Sequence, residues 1–210
     1  MLDIISFVVG PILTNAFLIG DSKSKQAVVI DPGWDGQLIS QEANNRDWVI
    51  TAIWLTHAHF DHIGGVPDLF KILTPFPELA LHRDDLRLWQ EGGGAAMFGL
   101  HIPPLPEPDI YLEHDQVLRV GENEFIVKHT PGHTPGHVIF VSQSEGLVFS
   151  GDLIFSGSVG RTDFPGGSYQ KLIESIHSEI LTLRDDTRLY SGHGPETTVG
   201  EERVSNPYLV

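Results

Sequence analysis

The sequence predicts a mixed α/β protein in which two β-rich halves are stacked between helices. Three observations carry this. Short apolar runs rich in Val, Ile and Phe, the pattern of buried strands, recur from Ile4 to Tyr190. The stretch Gln170 to Leu181 has apolar residues at Leu172, Ile173, Ile176, Ile180 and Leu181, a 3.6-residue stripe suited to a helix covering a sheet. Each half also reads as strands, then a helix, then a strand and a loop. The expected organisation is one domain over 1–210, with halves of about 1–105 and 106–210.

Taken in order, Ile4 to Val9 and Asn15 to Ile19 form a hairpin about Gly10-Pro11. Ala27 to Ile30 is a strand stopped by Asp31-Pro32-Gly33. Asp31 there is either a turn-former or an acceptor that orients a metal-bound histidine. Gln37 to Asn45 is a helix, and Val49 to Leu55 has the length and β-branched content of a buried strand. Gly64-Gly65 turns the backbone into the amphipathic stretch Val66 to Leu73. Glu78 to His82 is a short strand, with His82 a strand-end histidine rather than a ligand, and Asp84 to Gln90 a short helix. Residues 92–104 begin with three glycines and carry Met97, Phe98, Leu100 and Ile102. This loop either lines a pocket or caps the core; long irregular loops in compact domains are commonly binding loops, which favours Met97 and Phe98 as pocket residues. Val117 to Val120, Glu124 to His129, His137 to Val141 and Leu147 to Phe149 are strands parted by Gly-bearing turns. His177 lies on the surface of the Gln170 to Leu181 helix, Thr187 to Tyr190 is the last strand, and Glu201 to Tyr208 is a short tail.

Composition narrows the function. With 13 Lys+Arg against 28 Asp+Glu the chain carries a net charge of −15, and two divalent ions would leave it acidic. Such a field repels polyanions, so neither nucleic acid nor an anionic membrane is an expected partner. The sequence contains no cysteine, so disulfides and thiolate ligands are excluded and any metal must be held by N and O atoms. The N-terminus carries Asp3 where a secretory signal would carry Lys or Arg, and the apolar stretch from Ile4 to Gly20 is broken by Gly10-Pro11 and Asn15. A cytoplasmic location is expected.

The chemistry concentrates at strand ends. Directly after the Val49 to Leu55 strand stands Thr56-His57-Ala58-His59-Phe60-Asp61-His62, with three histidines and a carboxylate within six residues. His57 and His59 alternate across extended backbone and can face one side, while Asp61 and His62 reach the same space from beyond the bend. Open α/β sheets bind their ligands at this end of the strands. Imidazole and carboxylate donors suit zinc, iron or manganese. Three later turns repeat the logic: Pro131-Gly132-His133-Thr134-Pro135-Gly136-His137, Ser150-Gly151-Asp152 and Ser191-Gly192-His193-Gly194-Pro195.

H-x-H-x-D-H at 57–62, then P-G-H-T-P-G-H, S-G-D and S-G-H-G-P together resemble the metallo-β-lactamase-fold hydrolase superfamily over nearly the whole chain. The resemblance implies a four-layer αββα sandwich with the metal site at the strand ends. It implies that His57, His59 and His133 hold one divalent ion and that Asp61, His62 and His193 hold a second. Asp152 would bridge both alongside a water, so Asp61 and Asp152 are the acids implied in catalysis. The implied ions are two, zinc first, with iron or manganese accommodated by the same donors. His137 would be a non-ligand that packs against or orients its neighbours.

Within the superfamily, Gly151-Asp152, Gly160-Arg161-Thr162-Asp163-Phe164 and Gly192-His193-Gly194-Pro195 are similar to short glyoxalase-II-like proteins, which resemble hydroxyacylglutathione hydrolase without its C-terminal helical, glutathione-binding domain. This implies an enzyme that hydrolyses a small-molecule thioester with hydroxide bridging two ions. Antibiotic-hydrolysing members typically lack the acid that Asp152 supplies. The alternative is a mononuclear iron persulfide dioxygenase of the same fold, which carries a similar Gly-Arg-Thr-Asp-Phe stretch and would use His57, His133 and Asp152. Arg161 is either a contact for a substrate anion or a surface residue paired with Asp163. A thiolate leaving group, with a pKa of about 8.5, needs little help from a general acid.

Overall fold

In the computed structural model, which describes residues 2–209, the chain opens with a hairpin of β1 (Leu2–Val9) and β2 (Thr14–Asp21). All eight residues of β2 are buried, and since strand side chains alternate between faces, β2 needs cover on both sides. Ala16 and Leu18 enter one core, Phe17 and Ile19 another. The alternation continues in β3 (Gln26–Ile30), where Ala27 and Val29 oppose Val28 and Ile30, and, beyond α1 (Gly36–Asn45), in β4 (Val49–Trp54), where Ile53 opposes Ala52 and Trp54. After α2 (Phe60–Ile63) and α3 (Val66–Ile72), strands β5 (Glu78–His82) and β6 (Ile110–Leu112) complete a six-stranded sheet in the order β1-β2-β3-β4-β5-β6, with α4 (Leu86–Gln90) between them in sequence.

A second six-stranded sheet takes β7 (Val117–Val120), β8 (Asn123–His129), β9 (Val138–Ser142) and β10 (Leu147–Gly151). After a small hairpin of β11 (Ile154–Phe155) and β12 (Ser158–Val159) and helix α5 (Tyr169–Ser175), it gains β13 (Arg188–Ser191) and β14 (Thr197–Thr198), then α6 (Val199–Ser205). Its order is β14-β13-β10-β9-β8-β7. The two sheets face each other through Phe17, Ile30 and Trp54 on one side and Phe125, Phe140 and Phe149 on the other. Outside the first sheet lie Ile39 of α1, Leu69 of α3 and Trp89 of α4; outside the second lie Leu172 of α5 and Val199 of α6. The result is a helix–sheet–sheet–helix stack, the four-layer sandwich of the metallo-β-lactamase type. Among the described residues no helix is long and apolar enough to cross a membrane.

Strand direction decides where the loops gather. β3 and β4 are parallel, so their carboxyl ends share one edge of the first sheet. β8 and β10 are both antiparallel to β9 and therefore run alike, and β13 is parallel to β10. The loops after β8, β10 and β13 consequently share one edge of the second sheet. Backbone bonds join the two edges: Val138 N–H donates to Thr56 O at 2.8 Å, and Asn15 N–H to Gly192 O at 2.7 Å.

Several elements depart from the sequence expectation. The expected tail at 201–208 is mostly helix α6, opened by a capping box in which Thr198 and Glu201 exchange side-chain and backbone hydrogen bonds. The expected helix at 84–90 starts as a 3₁₀ turn over Arg83–Asp85. The stretch at 92–98 is wound into 3₁₀ turns interrupted where Gly93 and Gly94 take positive φ. The long amphipathic helix becomes π-helical over Ile176–Ile180, which keeps Ile176 and Ile180 on the buried stripe, with His177 exposed. Strands β6, β11, β12 and β14, two or three residues each, are too short to show a period.

Candidate metal centre

At the shared edge β4 ends and the chain stays extended through His59, then coils into α2. The extended part sends His57 and His59 toward one side, and the helical turn brings Asp61 and His62 in from another. Two groups of donor atoms result, each with all its members within 4.8 Å of one another: His57, His59 and His133, and Asp61, His62 and His193. In the first, His59 Nδ1 and His133 Nε2 are 2.8 Å apart. In the second, Asp61 Oδ2 lies 3.3 Å from His62 Nε2 and 3.2 Å from His193 Nε2.

Asp152, at the end of β10, stands between the groups. Its Oδ1 is 3.4 Å from His62 Nε2 and its Oδ2 is 3.5 Å from His133 Nε2. All seven residues expected as ligands thus come together. Gly192 lets them: a Cβ there would lie 2.7 Å from His62 Cε1 and would collide with Asp152 Oδ1.

The rings are held with one nitrogen free. Thr56 Oγ donates to Asp31 Oδ2 at 2.6 Å, so it accepts from His57 Nδ1–H at 3.0 Å and leaves His57 Nε2 as a lone-pair donor. Asp31 also accepts His62 Nδ1–H at 2.9 Å, and the Arg161 carbonyl accepts His133 Nδ1–H at 2.7 Å. Of the two roles open to Asp31, the structure shows that of orienting acceptor. Both nitrogens of His137 are used within the protein, Nδ1 on Thr130 Oγ1 and Nε2 on Asp152 N–H, so it positions Asp152.

Electrostatics follow from burial and crowding. Burial, with His62, His133 and His59 around it, holds His57 well below the ordinary histidine value. Burial and His133 bring His59 down to about 3. For His62 burial works the same way, but Asp61, Asp152 and Asp31 outweigh it and raise its pKa; burial also opposes protonation of His193, which Asp61 raises. Burial pushes Asp61 and Asp152 up, yet His62 foremost pulls both below the usual carboxylate range. Two buried anions therefore demand positive charge, which draws protons toward His62 and His193 and would equally favour a bound cation.

A divalent metal fits this demand. Among the described residues the buried side-chain atoms lacking any hydrogen-bond partner are His57 Nε2, His62 Nε2 and Asp152 Oδ1, one from each group and one from the residue between them. Buried polar atoms are nearly always paired, so three orphans aimed at one space mark a missing partner. A separate cluster, His82, Asp84 and His129, does not fit an ion. Its imidazoles stack at 4.1 Å and 12°, so their in-plane lone pairs run parallel and cannot converge. His82 is a packing residue, as the sequence suggests.

His59, Asp61, His133, Asp152 and His193 line the floor of a cleft of about 730 Å³ whose walls include Ile12, Met97, Phe98, Phe155 and Phe164. Met97 and Phe98 thus reach the pocket. Arg161 also lines it, and its guanidinium is held by Asp163 through two 2.7 Å bonds, the alternative that sequence left open.

Sequence reasoning passes over three supporting residues. Buried Thr14 donates to Asp61 Oδ2 at 2.9 Å, and Asn15 Nδ2 donates to the Ser191 and Gly194 carbonyls at 2.9 Å each, fixing the His193 turn. Asp85 accepts from Ala58 N–H at 3.0 Å, Thr134 Oγ at 2.8 Å and Gly136 N–H at 2.6 Å, tying the 57–62 turn to the 133–137 turn. Burial raises its pKa against the pull of these donors. The signal is an acid on the first turn after β5, too common to single out without the fold.

A family model described as the metallo-beta-lactamase superfamily matches residues 9–193. The chain is 39% identical over 205 residues to a probable metallo-hydrolase of Bacillus subtilis, YqgX, covering 96% of this chain and 94% of that one. It is 36% identical over 196 residues to a hydroxyacylglutathione hydrolase, GloC, of Haemophilus influenzae, covering 93% and 92%. Among solved structures it is similar to the B3 metallo-beta-lactamase BLEG-1, with TM-score 0.90, 39% identity and full coverage of both chains. It is also similar to TTHA1623 in a di-iron-bound form, with TM-score 0.88, 40% identity and coverage of 98% and 100%.

Proposed function

The chain belongs to the metallo-beta-lactamase superfamily, and from that premise we propose that it is a dinuclear metal-dependent hydrolase of small thioesters, of the glyoxalase-II-like kind. The observation that carries the reading is Asp152, with one carboxylate oxygen toward His62 and the other toward His133. His57, His59 and His133 would hold one ion, Asp61, His62 and His193 the other, and Asp152 both. With N and O donors only, zinc, iron and manganese are the candidates. Bound divalent ions supply Lewis acidity toward a carbonyl and bring the pKa of water down to about 7.

The chain's own residues do the rest. Asp31, Thr56 and the Arg161 carbonyl keep His62, His57 and His133 in the tautomer that offers Nε2. Thr14 fixes Asp61 and His137 fixes Asp152. Among the described residues no Ser, Thr, Cys, Lys or Tyr lines the cleft, so it offers no hydroxyl, thiol or amine nucleophile, which favours direct attack by water. Phe60, Phe98 and Phe164 place apolar surface beside the donors. A thiolate, with a pKa of about 8.5, departs without a proton donor. With a net charge of −15, a small molecule is a more fitting partner than nucleic acid.

The likeness to GloC points to S-lactoylglutathione as the first substrate, and that to BLEG-1 makes a β-lactam the necessary comparison. Protein loaded with zinc, iron or manganese should release thiol from S-lactoylglutathione, with kcat/KM at least a hundredfold above that for a cephalosporin. The reverse order would contradict the reading. Oxygen uptake with glutathione persulfide and no thioester cleavage would assign the chain to oxygenase chemistry instead.

A further inference from the structure

Resting on the thioester-hydrolase reading, we propose that this cleft selects substrates with an apolar, uncharged group flanking the scissile carbonyl, and that it offers no dedicated seat for an anionic handle. The apolar surface begins at the donor atoms themselves. Phe164 lies edge-on to His59 at 5.4 Å between ring centroids, and Phe155 lies edge-on to His193 at 6.1 Å, so each donor group has an aromatic ring beside it. Phe98 extends the first wall, 5.0 Å from Phe60 and 6.1 Å from Phe164. Ile12, at the tip of the β1–β2 hairpin, and Met97 also line the cleft.

These side chains face water. Met97 is 67% exposed, Phe98 52% and Ile12 47%. Single exposed apolar residues are unremarkable, but a set gathered around one reactive floor marks a surface awaiting an apolar occupant. Gly93 fixes the wall in place: its φ is +65°, and any Cβ there would collide with the backbone of Phe60, so the 92–98 segment lies directly on the ligand-bearing turn.

Charge on the same walls argues against an anionic substituent. Among the described residues the arginines and lysines lining the cleft are Arg87 and Arg161. Arg87 pairs with Glu91 at 2.9 Å, and Glu91 lines the cleft too, as does Asp84. Arg161 is bound at both ends of its fork by Asp163 and lies 3.9 Å over the Phe164 ring, so it presents a neutral pair with an aromatic face. A carboxylate on the substrate would compete with Asp163 for Arg161 and would lie near the acids Asp84 and Glu91.

The experiment uses metal-loaded protein and neutral N-acetylcysteamine thioesters lengthened from acetyl to hexanoyl, with a second series of acetyl thioesters of lengthening alkanethiols. The two arms report which side of the carbonyl occupies the cleft. We expect kcat/KM to rise in at least one arm by about fourfold per methylene, the equivalent of about 0.8 kcal/mol. The pentanoyl thioester should exceed the similarly sized, anionic succinyl thioester by at least tenfold. Met97→Gln, at an exposed position where the fold is not at risk, should make the chain-length slope shallower relative to its own acetyl rate. Hydrolysis with flat slopes in both arms, or succinyl equal to pentanoyl, would overturn the inference and leave the thioesterase reading intact. Failure to cleave any thioester, S-lactoylglutathione included, would overturn that reading and the inference with it.

Discussion

Replacing Asp85 by alanine should damage both the fold and the metal site, although Asp85 is not among the expected ligands. Its carboxylate accepts from Ala58 N–H, Thr134 Oγ–H and Gly136 N–H in a buried setting. A buried donor left unpaired costs about 1–3 kcal/mol. The low end is appropriate here, because the hydroxyl can turn, water can enter the vacated space, and a buried charge is removed. Three donors then give about 3 kcal/mol. For a chain of this size each kcal/mol shifts Tm by about 2–4 °C, so a fall of about 6–12 °C is expected. Metal-free protein should be used, since bound ions add stability by mass action. Because Asp85 ties the His57–His62 turn to the His133 turn, competitive chelator titration should also show a 10–100-fold loss of metal affinity, the usual effect of losing a group that orients ligands. Asp84→Ala, one residue away and exposed, is the control and should change stability by less than about 0.5 kcal/mol. Equal melting temperatures and chelator midpoints for the two variants would refute the clamp.

Asp31→Ala should lower metal affinity by about 10–100-fold in the same titration, because His62 loses the acceptor that fixes its ring and Thr56 loses the acceptor that orients His57. Gly192→Ala should retain the far-ultraviolet circular dichroism of the parent yet bind markedly less metal, since the added methyl competes with Asp152 and His62 for space. His82, half-buried against His129, has a pKa lowered first by burial and then by that neighbour. The unfolded chain therefore takes up this proton first as pH falls below about 6.5. Stability from this group is present above that pH and lost on acidification toward its folded pKa. Tm measured at pH 7.5 and 5.5 should fall less in His82→Gln than in the parent, and NMR should show His82 titrating below 6.5.

The donor set was legible because its chemistry is local. His57, His59, Asp61 and His62 crowd six positions behind one apolar strand, and His133, Asp152 and His193 sit in small-residue turns after other strands. Such turns need no long-range information to be recognised. What sequence could not show is pairing across the chain. Asp85 finds its partners 27, 49 and 51 positions away, and Thr14 reaches Asp61 across 47. Arg161 misleads for a related reason: its side chain draws the eye, but its carbonyl is what orients His133. Helix α6 was announced by Thr-x-x-Glu at 198–201, a capping signal overshadowed by the charged residues around it. The aromatic walls were half visible, with Met97 and Phe98 read from a glycine-led loop, while Phe155 sits in a two-residue strand and Phe164 in a turn, neither long enough to show a period.

In the proposed centre Asp152 joins two ion sites into one. Metal content per chain, measured on the parent and on Asp152→Ala after identical loading and desalting, tests it most directly. Close to two ions per chain are expected in the parent, with loss of metal from both sites together with thioester turnover in the variant. Two ions and full turnover retained in Asp152→Ala would contradict it.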